Sequence, residues 1–132
     1  MRSLMTMNIY DPEGAVVIVG ACMERMEPAC FAEATKGADA VFSLCLEETH
    51  INMAVTKIGA MLSTGRVTSL TFASVDRSPH CTQLHYIKHE LERTMTLDIP
   101  VENYVAANGR LIQVSDAAID LSKSLAKLAD MA

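Results

Sequence analysis

The chain has 132 residues, of which half are apolar and a fifth are charged, the balance of one globular domain over 1–132. A net charge of −5 excludes the basic surface of a nucleic-acid-binding protein. The sequence has no run of ~18 apolar residues that could span a membrane, and Met1–Tyr10 has no apolar core of the length a secretory signal needs. Four cysteines are too few for a secreted disulfide scaffold, so we expect a cytoplasmic protein with reduced thiols.

Continuous apolar runs alternate with amphipathic stretches along the chain. The clearest run, Val16–Val19, is β-branched throughout, as in a strand that is buried on both faces of a parallel sheet. Asn108-Gly109 is a strong hairpin signal and predicts an antiparallel strand at the sheet edge. The predicted strands are Ala15–Cys22, Ala38–Cys45, Val67–Val75, Pro100–Ala107 and Arg110–Val114.

Four helices are predicted between and after these strands. The first begins at Pro28, a favourable first helical residue, and continues through Cys30–Lys36 to Gly37. The second is Glu47–Thr64, with acidic residues in its first turn. The others are a helix that begins at Ser78-Pro79, with the core residues Leu84, Ile87 and Leu91, and a last helix capped by Ser115, with the core stripe Leu121, Leu125 and Leu128.

The alternation of strands and helices predicts a three-layer α/β sandwich with a mostly parallel, flavodoxin-like sheet. Right-handed crossovers favour the strand order 2-1-3-4, with the hairpin strand added at the edge. In such a sheet, ligands bind at the carboxyl ends of the strands, at the point where the strand order reverses. We therefore expect the site between the first and third strands.

The loop Asp76–Cys81 carries the most chemistry, because it joins a strand end to a helix start. Cys81 falls in the first helical turn beside His80, with Arg77 nearby, which are conditions that favour a thiolate. We predict Cys81 and His80 as catalytic residues, with Cys81 the most reactive thiol, and Arg77 and Ser78 as cofactor-binding residues. The alternative is that Cys81 is a small buried hydrophobic residue.

The four thiols follow strands that should lie side by side, so the fold would gather them at one edge. Their sequence spacing is not itself a metal signature, and Cys-x-x-Cys, Gly-x-Gly-x-x-Gly and Walker motifs are absent. We expect Cys22, Cys30 and Cys81 to converge on one crevice. The predicted metal ligands are Cys22, Cys30, Cys45 and Cys81, for an iron–sulfur cluster or zinc. The alternative is that Cys22 and Cys45 only complete the core.

Three further histidines are candidates of lower weight. His85 and His89 share a helix face with Cys81, and we expect that face to be solvated or to contact a partner. His50, which follows Glu47 and Glu48, is a candidate base or ligand near the same sheet edge; an ordinary polar first turn is the alternative.

One segment, Gly37-Ala38-Asp39-Ala40-Val41-Phe42-Ser43-Leu44-Cys45 with His50 after it, resembles part of the small iron–sulfur (delta-type) subunits of hydrogenase and heterodisulfide reductase complexes. Those subunits are small α/β proteins that pass electrons to a larger partner. The resemblance covers about one strand and its flanks. It implies a redox context and Cys45 as a cluster ligand.

Three functions remain open on the sequence. The leading hypothesis is a small cytoplasmic redox or metal-thiolate accessory protein that acts with a larger protein partner or as a homo-oligomer. The second is an enzyme with Cys81 as nucleophile, His80 or His50 as base, and helix amides as the oxyanion site. The third is a non-catalytic binding or oligomerisation module whose cysteines are core residues.

Overall fold

The central strands form where the sequence carries its continuous apolar runs. The structure, a computed structural model, describes residues 1–132. Val16–Val19 is buried throughout, as expected for a strand covered on both faces. The strands are β1 (Arg2–Ser3), β2 (Gly14–Gly20), β3 (Ala40–Leu44), β4 (Val67–Val75), β5 (Val101–Ala107) and β6 (Arg110–Gln113).

The sheet has the order β1-β3-β2-β4-β5-β6, and every neighbouring pair is parallel except β5 and β6. The predicted order 2-1-3-4 is confirmed for the four central strands, β2 to β5. The prediction omitted β1, which pairs with β3 through Arg2 opposite Phe42 and Ser3 opposite Ser43. A strand of two residues is too short to carry a periodic signal, so the predicted sheet ended one strand early.

The predicted hairpin is confirmed at the other edge. Asn108 and Gly109 have φ angles of 52° and 77°. Two positive φ values in a two-residue loop match the twist of the flanking strands. β5 and β6 pair antiparallel, with Ala107 opposite Arg110 next to the turn.

Seven helices accompany the sheet, and none combines the length and hydropathy required to cross a bilayer. The second predicted helix begins at Ile51 rather than Glu47, because the Nδ1 of His50 caps it by accepting from the Asn52 amide at 3.1 Å. The helices are α1 (Met23–Met26), α2 (Pro28–Thr35), α3 (Ile51–Ser63), α4 (Pro79–Leu84), α5 (Ile87–Thr94), α6 (Asp116–Ser122) and α7 (Leu125–Met131).

Two hydrophobic clusters cover the two faces of the sheet. Ile18 of β2 belongs to the larger cluster, with Leu84 of α4 and Leu91 of α5. Val19, the next residue, belongs to the smaller cluster, with Cys30 of α2. Because successive residues of a strand point to opposite faces, this division establishes the three-layer α/β sandwich that the sequence predicted.

Two predicted helices are each broken in two. The break between α4 and α5 falls at His85, whose side chain turns into the core. The break before α7 falls at Ser124, whose hydroxyl caps α7 by accepting from the Lys127 amide at 3.3 Å. Each break changes the direction in which the next helix presents its residues.

The last break overturns the predicted core stripe of Leu121, Leu125 and Leu128. α7 contributes no buried residue, and Leu125 is 81% exposed. Ile119 of α6 is buried instead. The stripe assumed one continuous helical period through a position where the backbone changes direction.

Candidate functional site

Three of the four cysteines line one crevice at the carboxyl edge of the sheet. Cys22 follows β2, Cys45 follows β3, and Cys81 lies in α4 after β4. We call this the thiol crevice; it has a volume of about 40 Å³. The chain leaves β2 towards β3 on one side and leaves the adjacent β4 towards β5 on the other, so the crevice lies at the location where open α/β sheets bind ligands. His80 and Glu47 also line it.

A backbone hydrogen bond holds two of the thiol-bearing segments together. The Ala21 amide donates to the Leu44 carbonyl at 3.1 Å, just beyond the paired ends of β2 and β3. Cys22 and Cys45 each follow one of these two residues. Cys22 is exposed and Cys45 is half-buried, so both thiols meet solvent.

The third thiol packs onto the end of β2 because that position is a glycine. A Cβ atom placed on Gly20 would lie 3.0 Å from the Cys81 sulfur and 3.6 Å from the Ser74 Cβ. A side chain at Gly20 would therefore displace the Cys81 thiol. Cys81 is half-buried, with its amide donating to the Ser78 hydroxyl at 3.4 Å.

None of the other predicted site residues makes a hydrogen bond to the Cys81 thiol, although Ser78 and His80 line the same crevice. His80 points its Nδ1 at Glu47, 4.0 Å away, and His50 uses its Nδ1 to cap α3. Ser78 is the N-cap of α4. Arg77 has a φ of 69°, a left-handed conformation that is rare outside glycine, and it lies beside Asp76 and Asn108 in a neighbouring groove.

The expectation that Cys22, Cys30 and Cys81 converge on one crevice is wrong for Cys30. The third thiol in the crevice is that of Cys45. Cys30 is 1% exposed and packs in the smaller core cluster beneath α2. Its thiol donates to Glu27 Oε1 at 3.8 Å. Burial, together with the carboxylates of Glu27 and Glu33, raises the pKa of this thiol, which keeps it protonated.

The residues present do not fit the expected iron–sulfur cluster or zinc. No group of three or more His, Cys, Asp or Glu side chains is arranged to hold a metal ion. A structural zinc site needs four such ligands, and the position predicted for the fourth, Cys30, faces the core. The crevice therefore offers free thiols.

A buried hydrogen-bonded chain lies on the far side of α4 and was not predicted. The Ser74 hydroxyl is 2.6 Å from His85 Nε2, and His85 Nδ1 is 2.7 Å from Asn103 Oδ1. All three side chains are buried. Burial lowers the pKa of His85, and the hydrogen bond that His85 donates to Asn103 opposes this shift. The expectation that His85 lies on a solvated or partner-binding face is therefore wrong.

A signal for this chain is present in the sequence. Asn103 is two residues away from both Val101 and Val105 in β5. The three side chains therefore point to the same face of the sheet, and the other two are apolar. A polar residue at such a position requires a hydrogen-bond partner. The sequence places the partner, His85, beside Lys88 and Glu92 on the polar flank, an interpretation that requires one continuous helix.

Comparison with known protein families matches residues 12–131 to the Rossmann-like domain. No curated protein and no solved structure shows a significant match. The match covers all of the sheet except β1, together with every helix that flanks the thiol crevice. The chain belongs to the family of Rossmann-like domains.

Proposed function

We propose that the chain is a small thiol-dependent redox protein whose crevice thiols cycle between a dithiol and a disulfide. The observation that supports it most directly is the gathering of Cys22, Cys45 and Cys81 at the ligand-binding edge of the fold. Cysteines placed only to fill the core would be buried like Cys30, whereas these three meet the crevice.

The chemistry needs two thiols and an external disulfide. Cys22, the exposed thiol, attacks one sulfur of the partner disulfide as a thiolate, and the other partner sulfur leaves as a thiolate. Cys45 then attacks the Cys22 sulfur of the mixed disulfide and releases the second partner thiol. Two electrons pass to the partner, and one intramolecular disulfide remains in the chain.

The partner in this proposal is a larger protein with an accessible disulfide, or a second copy of the chain. A crevice of about 40 Å³ is too small for a large cofactor but is open to a sulfur atom presented on a loop. A reducing, cytoplasmic compartment keeps the resting thiols reduced, as the exchange requires.

The alternative of a Cys81 nucleophile has less support. A base must lie within hydrogen-bond reach of the thiol, but His80 faces Glu47 and His50 caps α3. Cys81 enters the redox proposal as a second resolving thiol, packed against Gly20 beside the same crevice.

Disulfide mapping tests the proposal. Reduced protein, purified without air, is titrated with a low-molecular-weight disulfide, alkylated, and digested for mass spectrometry. We expect an intramolecular disulfide between Cys22 and Cys45 or Cys81, with Cys30 alkylated only after denaturation. Cys30→Ala should leave this product unchanged, whereas Cys45→Ser with Cys81→Ser should trap a mixed disulfide on Cys22.

Other outcomes of the same experiment would reject the proposal. Four unreacted thiols would favour the binding or oligomerisation module. Stoichiometric iron or zinc in the purified protein would restore the metal-thiolate hypothesis. A single alkylated Cys81 with no disulfide would favour the nucleophile.

A further inference from the structure

A second cavity, of about 140 Å³, lies on the side of α4 opposite the thiol crevice. We call it the acceptor cavity. Its apolar wall comes from β5, α6 and the residue after β6. Its polar wall consists of Ser74, Asp76, Thr82, His85 and Ser122.

The buried chain fixes where the proton of the Ser74 hydroxyl points. Asn103 Oδ1 can only accept, so the proton of neutral His85 lies on Nδ1, and Nε2 accepts from Ser74. The Ser74 hydroxyl therefore donates its proton in a hydrogen bond to His85 Nε2 and cannot donate it to a ligand. Ser74 is also fully buried, so it offers no hydrogen-bond donor to a ligand in the cavity.

The other hydroxyl protons of the cavity are committed in the same way. Thr82 donates to the Ser78 carbonyl at 3.0 Å, and Ser122 donates to the Ile119 carbonyl at 2.6 Å. The Ser122 oxygen also lies 3.4 Å from the Tyr86 hydroxyl, so Thr82 is the hydroxyl that presents unshared acceptor lone pairs to the cavity.

The backbone amides are also occupied. The Asp76 amide donates to the Ala106 carbonyl at 3.0 Å, and the Val114 amide donates to the Asn103 carbonyl at 2.8 Å. The Ala118 amide donates to the hydroxyl of Ser115 at 3.1 Å. Asp76 is exposed, makes no hydrogen bond or ion pair, and lines both this cavity and the neighbouring groove that contains Arg77.

The cavity thus presents the Asp76 carboxylate and the hydroxyl oxygens of Thr82 and Ser122, with no free donor. This arrangement opposes acyl transfer, despite the Ser74–His85–Asn103 chain, because an oxyanion would meet a carboxylate instead of donors. It is complementary to a ligand that carries several N–H donors and a positive charge. The adjacent apolar wall is complementary to an aliphatic stem.

We propose that the acceptor cavity binds a small primary ammonium ion with a short aliphatic stem. The ammonium group contacts Asp76 and the hydroxyl oxygens, and the stem packs on the wall formed by β5 and α6. At ~30 Å³ for each water-sized group, the cavity has room for about five non-hydrogen atoms. This site is independent of the thiol crevice.

Chemical shifts in NMR spectra of the full chain provide the test, with butylammonium chloride as probe and sodium butyrate as its charge-reversed counterpart. We expect saturable shifts of the Val114 and Ala118 amides with butylammonium and none with butyrate. Asp76→Asn should weaken binding by about tenfold or more, since it removes the free carboxylate.

Asp120→Asn is the matched control. Like Asp76→Asn it removes one negative charge, but Asp120 lies in α6 outside the cavity. It should leave the affinity for butylammonium within about twofold of the wild-type value. The proposal is overturned by an absence of saturable shifts, by equal binding of butyrate, or by equal losses in the two variants. Equal losses would indicate attraction to the net negative charge of the protein alone.

Discussion

The polar and thiol side chains on the two sides of α4 differ in solvent access and in hydrogen bonding. Toward β2 and β3, three thiols line a crevice with solvent access and no hydrogen bond from sulfur. Toward β5, Ser74, His85 and Asn103 are buried in a chain in which each polar atom that faces the core has a partner. The crevice thiols are therefore free to react, whereas the buried side chains stabilise the structure.

The comparison predicts that the buried chain controls stability and that the crevice controls reactivity. Variants of the buried chain should therefore leave the reactivity of the crevice thiols almost unchanged.

Asn103→Ala should lower the free energy of unfolding by about 2–4 kcal/mol, because it leaves the His85 Nδ1 proton buried without an acceptor and opens a small void. Urea denaturation measures this change. Gln113→Ala, at an exposed position on the neighbouring strand, should stay within about 0.5 kcal/mol of wild type. An equal, small effect of both variants would show that the buried chain does not fix the structure.

Gly20→Ala should lower the free energy of unfolding by about 1–3 kcal/mol, because the new methyl group meets the Cys81 sulfur. It should also change the alkylation rate of Cys81 more than that of Cys22. Gly59→Ala in α3 is the matched control. A Cβ atom at Gly59 has room, because its nearest neighbour, a Leu91 side-chain atom of α5, is 3.7 Å away.

The control should change stability in the opposite direction, by about 0.5–1 kcal/mol, because alanine loses less backbone entropy than glycine in a helix. If both variants stabilised the protein, Cys81 would not be packed against β2, and the crevice would have a different third wall.

Acid should weaken the buried chain before it affects the crevice. Burial lowers the folded pKa of His85 below its ordinary value of 6.5. The unfolded chain then binds the proton more tightly, so the stabilisation is complete above pH 6.5 and is lost as the pH falls towards the folded pKa.

The slope for a single group reaches at most about 1.4 kcal/mol per pH unit. His85→Gln should remove it, and the difference between wild-type and variant unfolding curves isolates His85 from the other three histidines. Identical pH slopes in both proteins would mean that the pKa of His85 is the same in the folded and unfolded states.

Much of the fold could be predicted because its signals are local. The β-branched run at Val16–Val19 and the Asn108-Gly109 turn each encode their geometry within a few residues. The two-residue β1 carries no such signal. The break at His85 also escaped prediction, because it depends on partners 11 and 18 residues away in sequence.

The candidate site was predictable only in part. Strand order places Cys22, Cys45 and Cys81 at one edge. Cys22 follows β2, and the other two follow β3 and β4, which pair with β2 on either side. Cys30 was misplaced because its face on α2 could not be deduced: a helix of eight residues has too weak a periodicity to fix which residue points inward. Its position in the core removes the fourth ligand on which the metal hypothesis depended.

The central claim is that the chain carries three reactive crevice thiols and one core thiol. Thiol counting with a chromogenic disulfide reagent in native buffer tests it most directly, with the modified residues identified by mass spectrometry. We expect fast reaction at Cys22, Cys45 and Cys81, and reaction at Cys30 only after unfolding in denaturant. Reaction of Cys30 at the rate of Cys22, or protection of all four thiols in the native protein, would contradict it.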